Sequence, residues 1–368
     1  MKQALIHDWY YISGGAEKVV HSFNNIWDDF DHFALVDFLN EKDRAFILNG
    51  KKAKTSFIQK LPTARSNHRK FLQLFPLAVE QFDLREYDFI LSSSASVAKG
   101  VLSNQNQLHI SYCHSPMRYA WDLYHQYLED AKLNKGLKGM YAKWVLHKTR
   151  TWDFINTQRV DYLIANSNFI AKRIKKVYGR ESTVIYPPVD VDKFQLHVEK
   201  EDFYFTASRM VPYKKIQLIV EAFNKCPNKK LIVGGDGPEF QKIKSIAQSN
   251  IVFLGFVSNE VLSSYIQRAK AFVFAAEEDF GIIPVEAQAC GTPVIAYGKG
   301  GVEETVIHEK TGVLFKNQTQ KDIIEAVDYF ETLTFSAQMI RENAERFSKA
   351  RFEKEIEDFV NKKKESFF

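Results

Sequence analysis

Short apolar runs bounded by polar or glycine-containing turns recur along the whole chain, and the stretches between them place apolar residues three or four positions apart. That alternation predicts a parallel sheet whose strands are joined by crossover helices. In the first half, the runs at 4–8, 33–38, 89–92, 109–113, 162–166 and 184–186 read as strands. The second half repeats the pattern more clearly at 203–207, 230–234, 251–254, 271–275, 293–296 and 312–315. Between the two sets lies Tyr186-Pro187-Pro188-Val189-Asp190-Val191-Asp192, where consecutive prolines stop both helix and central strand and hold the chain extended. The pattern predicts an α/β protein of two doubly wound domains, 1–188 and 189–350, with a ligand held in a cleft between them. A length of 368 residues suits two cores. The stretch from 337 to 364 reads as two charged helices.

Composition changes this picture little: 45% hydrophobic and 26% charged residues are the balance of a folded chain. No run approaches the ~20 apolar residues of a membrane span, and residues 1–11 carry polar groups where a secretory signal needs an apolar stretch. The expectation is a cytoplasmic protein. Cys113, Cys226 and Cys290 stand apart in apolar surroundings and read as small core residues rather than as disulfides or zinc ligands. A net charge of +5 does not point to nucleic acid.

The charge is unevenly spread, however. Residues 1–195 hold 27 Lys+Arg against 20 Asp+Glu, and the remainder 23 against 25. Two basic segments of the first half are interleaved with apolar residues. The segment 51–70 contains Phe57 and Leu61 and runs into Phe71, Leu72, Leu74 and Phe75, while 131–159 contains Tyr141, Trp144 and Trp152. Such mixtures suit an anionic membrane surface, and equally a solvated helix face.

Candidate chemistry clusters at predicted strand ends. After the run 271–275 come Glu278-Asp279-Phe280-Gly281-Ile282-Ile283-Pro284-Val285-Glu286, in which acids precede a glycine and a helix start. Backbone N–H groups there can bond sugar hydroxyls or phosphate oxygens, and a carboxylate suits a vicinal diol. A capped helix with solvated acids is the alternative. After 203–207 come Ser208-Arg209-Met210-Val211-Pro212-Tyr213-Lys214-Lys215, whose cations could neutralise a diphosphate or simply face solvent. Gly14 and Gly15 separate the first strand from the first helix, either opening the backbone to a ligand or making a tight turn. His114 follows the run 109–113, where it is either structural or catalytic. Asp190-Val191-Asp192 has the Asp-x-Asp form of metal-dependent sugar transferases but lies in the linker, so no metal is expected. Gly234-Gly235-Asp236-Gly237-Pro238-Glu239 reads as a phosphate loop or as a strand-to-helix turn.

Together these segments resemble the retaining glycosyltransferases of family 4, over nearly the whole chain. The resemblance rests on the Glu-x7-Glu motif from Glu278 to Glu286, continued by Ala287-Gln288-Ala289-Cys290-Gly291-Thr292-Pro293-Val294. It rests also on Ser208 to Lys214, Gly235 to Glu239 and Gly300-Gly301-Val302-Glu303-Glu304, in the family's order. It implies the GT-B architecture, two Rossmann-like domains facing each other across a cleft, with 351–368 as a last helix returning to the first domain. By position, Arg209 and Lys214 match the pair that holds the donor diphosphate, and Glu286 matches the ribose-binding acid. Glu278 and the backbone of Phe280, Gly281 and Ile282 match contacts to the donor sugar. His114 looks like the histidine near the reacting sugar, Gly14-Gly15 like the loop closing over donor and acceptor, and Val257 like a neighbour of the nucleobase. Cys113 to Asp122 and Glu277 to Ile282 look similar to mannosyltransferases of bacterial surface polysaccharide assembly. The resemblance therefore implies GDP-mannose as donor, a glycan or polyprenyl-linked oligosaccharide as acceptor and no metal or other cofactor, while the basic segments 51–70 and 131–159 suggest peripheral contact with the inner face of the cytoplasmic membrane. A UDP-sugar donor, or a nucleotide-sugar epimerase on the same scaffold, are the alternatives.

Overall fold

The computed structural model describes residues 1–368, which divide into two compact units: Met1–Pro188 with Phe352–Phe368, and Val189–Arg351. In the first, seven parallel strands lie in the order β3-β2-β1-β4-β5-β6-β7. They are β1 Gln3–His7, β2 Asp31–Ala34, β3 Lys54–Thr55, β4 Phe89–Ser94, β5 Leu108–Cys113, β6 Tyr162–Ala165 and β7 Thr183–Val184. The second holds six parallel strands in the order β10-β9-β8-β11-β12-β13. These are β8 Glu201–Ala207, β9 Leu231–Gly234, β10 Ile251–Gly255, β11 Ala269–Phe274, β12 Val294–Tyr297 and β13 Gly312–Phe315. Both sheets are doubly wound, and strand order reverses between β1 and β4 in one and between β8 and β11 in the other. Loops that leave the carboxyl ends at such a reversal diverge and leave a crevice for a ligand.

Burial explains the strands. The central ones are buried on both faces, as in Phe89–Ser94 and Leu108–Cys113, because helices cover each side of the sheet. The predicted run 33–38 overshoots β2: the regular ladder ends at Ala34, and beyond it the buried Leu35 and Val36 lead into an isolated parallel bridge between Tyr10 and Asp37, in which Tyr10 donates its N–H to the Val36 carbonyl (2.9 Å). The two-residue edge strand β3 was not expected at all. At the end of the chain the helix Lys349–Phe367 buries Phe352, Ile356 and Val360, an i, i+4, i+8 stripe, among Leu5, Val20 and Phe23 of the first unit. Arg351 is grouped with the second unit and Phe352–Phe368 with the first, one residue later than the boundary expected at 351. No helix is long and apolar enough to cross a membrane.

Candidate functional site

In the second unit the loops after β8 and β9 are zipped together. Met210 donates its N–H to the Asp236 carbonyl (2.9 Å), and Glu239 donates to that of Met210 (3.1 Å). This approach requires glycine at 235, which has φ +108°, because a Cβ there would stand 2.0 Å from the Ser208 carbonyl oxygen. The segment 234–239 is thus a strand-to-helix turn whose glycines let the Arg209 loop pack against it. Arg209 itself is exposed, and its guanidinium has no carboxylate partner.

The turn after β11 is pinned in the same way by the turn after β12. Glu278 and Gly300 form an isolated parallel bridge, Gly301 donates to the Glu278 carbonyl (2.8 Å), and a Cβ at Gly300 would stand 2.3 Å from that oxygen. Gly281 (φ +87°) then caps the helix Ile282–Ala289, whose first turn has no side-chain cap, so its N–H groups are not taken by a capping side chain. Phe280 turns inward, its ring 5.4 Å from that of Phe347, which leaves only its backbone for a ligand. Glu286 is buried in the second turn of the helix.

The Lys214 ammonium stands 2.5 Å from Glu278 Oε1, and both side chains remain partly exposed. This pair joins the loops after β8 and β11, the two strands at which the order reverses. Four of the sequence motifs therefore meet at one edge of one sheet. Farther along that edge Phe256, 85% exposed beside Val257, offers an aromatic face.

The first unit arranges its polar groups differently. Asp8, just past β1, accepts three backbone N–H groups, from Ala95, Val97 and Ala98, each at 2.7 Å. It ties the β1 end to the loop after β4, again at the strand reversal. The buried His7 lies between Glu17, 3.6 Å from its Nε2, and Ser93, whose carbonyl and hydroxyl oxygens are each 3.1 Å from its Nδ1. Burial disfavours a charge on His7, yet the Glu17 carboxylate, aided by Asp8, holds its pKa above the ordinary value. When protonated, His7 faces Glu17 as an ion pair through Nε2 and donates to Ser93 through Nδ1. The Ser93 hydroxyl is then free to donate to His114 Nε2 at 2.8 Å. Burial, and then the neighbouring His7, push His114 down to about 3, so its imidazole is neutral. Accepting at Nε2 leaves its proton on Nδ1, a donor with no partner in the chain. Glu17 also accepts from the Gly14 N–H (3.1 Å), which couples the Gly14-Gly15 turn to the same relay.

Sequence reasoning singled out His114 and the two glycines but missed His7, Asp8, Ser93 and Glu17. A polar His-Asp pair closing the first apolar run, and an acid three residues after Gly14, were the visible signals. Nothing distinguishes Ser93 from its neighbours Ser92 and Ser94. In the linker, Asp190 accepts from Lys193 (2.9 Å), and no group of three or more His, Cys, Asp or Glu is placed to hold a metal ion.

A family model described as Glycosyltransferase Family 4 matches residues 13–193, and one described as Glycosyl transferases group 1 matches residues 190–347. The uncharacterized glycosyltransferase MJ1178 of Methanocaldococcus jannaschii is 29% identical over 200 residues, 52% of this chain and 56% of that protein. The chain spans about half the length of the curated relatives it matches, or less. The lipopolysaccharide outer core galactosyltransferase WaaB in its apo form superposes with a TM-score of 0.69 over 99% of this chain and 100% of that one, at 18% identity. Anabaena Alr3699/HepE in complex with UDP and glucose does so with a TM-score of 0.70 over 98% and 99%, also at 18%. These likenesses show the GT-B fold.

Proposed function

Since the chain is built of a Glycosyltransferase Family 4 domain followed by a Glycosyl transferases group 1 domain, we propose that it transfers a sugar from a nucleotide donor to an acceptor hydroxyl. One observation carries this reading: Arg209 and the Lys214–Glu278 pair stand at the carboxyl edge of the second sheet, beside an uncapped helix start. An unpaired guanidinium and an ammonium held by a single acid suit a ligand bearing more than one negative charge. A nucleoside diphosphate would draw Lys214 from Glu278, and the carboxylate so released would accept from a sugar hydroxyl. Phe256 offers a face for the base, and Glu286 the acceptor oxygens for a ribose diol.

In the proposed reaction the acceptor oxygen attacks the anomeric carbon on the face that the diphosphate leaves. The carbon–oxygen bond to the diphosphate breaks, and the departing phosphate oxygen takes the acceptor's proton. Arg209 and Lys214 stabilise the charge that grows on that leaving group. The His114 Nδ1–H is offered to a sugar hydroxyl. No protein nucleophile and no metal take part, so turnover should persist in EDTA.

Within this class we favour GDP-mannose as donor, on the form of Cys113 to Asp122 and Glu277 to Ile282, and a glycan or polyprenyl-linked oligosaccharide at the inner face of the cytoplasmic membrane as acceptor. A thermal-shift panel of GDP, UDP, ADP and their sugars tests the choice, because only ligands that bind the folded state raise the melting temperature. A response to GDP compounds alone supports it. A response to UDP compounds alone replaces GDP-mannose by a UDP-sugar, and turnover of the nucleotide sugar without any acceptor would make the protein an epimerase.

A further inference from the structure

The helix Gly136–Thr157 carries apolar residues on both faces. Its buried face holds Val145 and Leu146 together with the polar Thr149, Asp153, Asn156 and Thr157. Asp153 there accepts from Lys99 (2.6 Å), Trp121 Nε1 (2.8 Å) and the Tyr178 hydroxyl (2.7 Å), and the Lys99 and Asp153 side chains are wholly buried. Its outer face carries Leu137, Met140, Tyr141 and Trp144, spaced as one helical stripe, with Ile155 exposed farther along beyond Lys148 and Thr151. Leu137 is 82% exposed and Trp144 55%, and the Tyr141 and Trp144 rings stack at 6.0 Å. A groove of about 530 Å³ opens on this stripe, lined almost entirely by apolar atoms of Leu72, Tyr127, Leu133, Leu137, Tyr141 and Leu146.

Five exposed lysines surround the stripe: Lys132, Lys135, Lys138, Lys143 and Lys148. No acid occurs from 131 to 152, although Glu129 and Asp130 immediately precede it. The other basic segment, 51–70, does not share this exposure. Its Phe57 and Leu61, with Phe71, Leu72 and Leu74, pack on the core, Phe75 is buried, and Lys54 is engaged by Asp31.

From this arrangement we infer that the Gly136–Thr157 face docks the first unit on an anionic phospholipid bilayer, with the groove receiving an acyl chain. An apolar stripe of this size left in water marks an interaction surface. The lysines select the partner. Protein interfaces are depleted in lysine, whereas helices that lie in a bilayer interface carry lysine on their flanks and Trp and Leu on the immersed side. The inference deepens the lipid-linked half of the proposed reaction and rests on it for its purpose, but binding is measured without donor or turnover, so the two fail separately.

The test is co-sedimentation of the full chain with sucrose-loaded vesicles of phosphatidylcholine alone or mixed equally with phosphatidylglycerol, at low salt and at high salt. The protein binds the mixed vesicles at low salt, and binding falls at least ~10-fold on phosphatidylcholine alone or in high salt. The double variants Leu137→Glu/Trp144→Glu and Lys138→Glu/Lys143→Glu each lose binding to a similar degree, ~10-fold or more, with an unchanged melting temperature. Wild-type failure to bind, or binding that survives either double variant, overturns the inference. So does a dimer seen by light scattering without lipid that Leu137→Glu/Trp144→Glu dissolves, because the face would then cover a second copy. Should the apolar variant lower the melting temperature, the lysine variant, which removes only the exposed bond from Lys143 to the Asn134 carbonyl (3.1 Å), decides.

Discussion

The two units treat polar groups in opposite ways at the same topological place. At the β8/β11 reversal the second unit leaves Arg209 unpaired and Lys214 and Glu278 partly exposed, held out by backbone turns that glycines allow to touch. At the β1/β4 reversal the first unit saturates Asp8 with three N–H groups and seals His7 between Glu17 and Ser93. One edge keeps Arg209 exposed and without a carboxylate partner, as the proposed diphosphate requires. The other spends its charge on orienting a single neutral histidine. Electrostatic binding and precise placement of a donor are different tasks, and they call for different degrees of burial.

This contrast breaks most visibly in acid. Burial pushes His109 and His114 down to about 3 and His32 and His68 to about 4, all in the first unit, whereas the second unit's two histidines, His197 and His308, are exposed. A histidine kept neutral in the fold is protonated sooner in the unfolded chain, so its stabilisation is present above 6.5 and is lost as pH falls from 6.5 towards 4. Each such group contributes roughly 1.4 kcal/mol per pH unit in that window. His7 has the opposite sign: its raised pKa gives stability below 6.5 that fades as pH rises through the folded value. Hydrogen exchange near pH 4.5 should show the first unit opening before the second. Simultaneous opening would deny the difference between them.

Next in size is Asp153→Ala, which strands the buried Lys99 charge and should cost about 3–5 kcal/mol in denaturant unfolding. Arg209→Ala and Lys214→Ala remove no buried contact. They should leave the melting temperature nearly unchanged and lower kcat by ~10²-fold, the scale of one lost electrostatic stabiliser. A fall in stability without a fall in kcat would reverse their assignment. The smallest effect expected is that of Ser93→Ala. His7 keeps the Ser93 carbonyl, but His114 loses the donor that fixes its tautomer, and kcat should drop about 5- to 10-fold, the worth of one hydrogen bond. Nitrogen chemical shifts of His114 separate this from a packing defect: they should report Nδ1–H in the wild type and a tautomer mixture in the variant.

The second edge was legible in the sequence because each piece is local: a strand end, a glycine, a charged loop and a helix start within about ten residues. Arg209, Lys214, Glu278 and Glu286 could be read from such segments, and their meeting follows from the strand order. The first edge was mostly hidden, since His7 and Ser93 are 86 residues apart and no spacing rule links them. The run 33–38 reads as one strand because its burial continues past Ala34, where the regular ladder breaks and resumes only as the isolated Tyr10–Asp37 bridge. β3 escaped because two residues at a sheet edge carry no periodicity.

The central claim is that Arg209 and Lys214 hold a diphosphate. Titration calorimetry of the full chain with nucleoside diphosphate and monophosphate of the preferred base, in the wild type and in Arg209→Ala, tests it most directly. The wild type should bind the diphosphate at least ~10-fold more tightly than the monophosphate, the worth of a charge-assisted hydrogen bond, and the variant should lose most of that preference while keeping its affinity for the monophosphate. An undiminished preference in Arg209→Ala, or equal affinity of the wild type for both, would contradict the account.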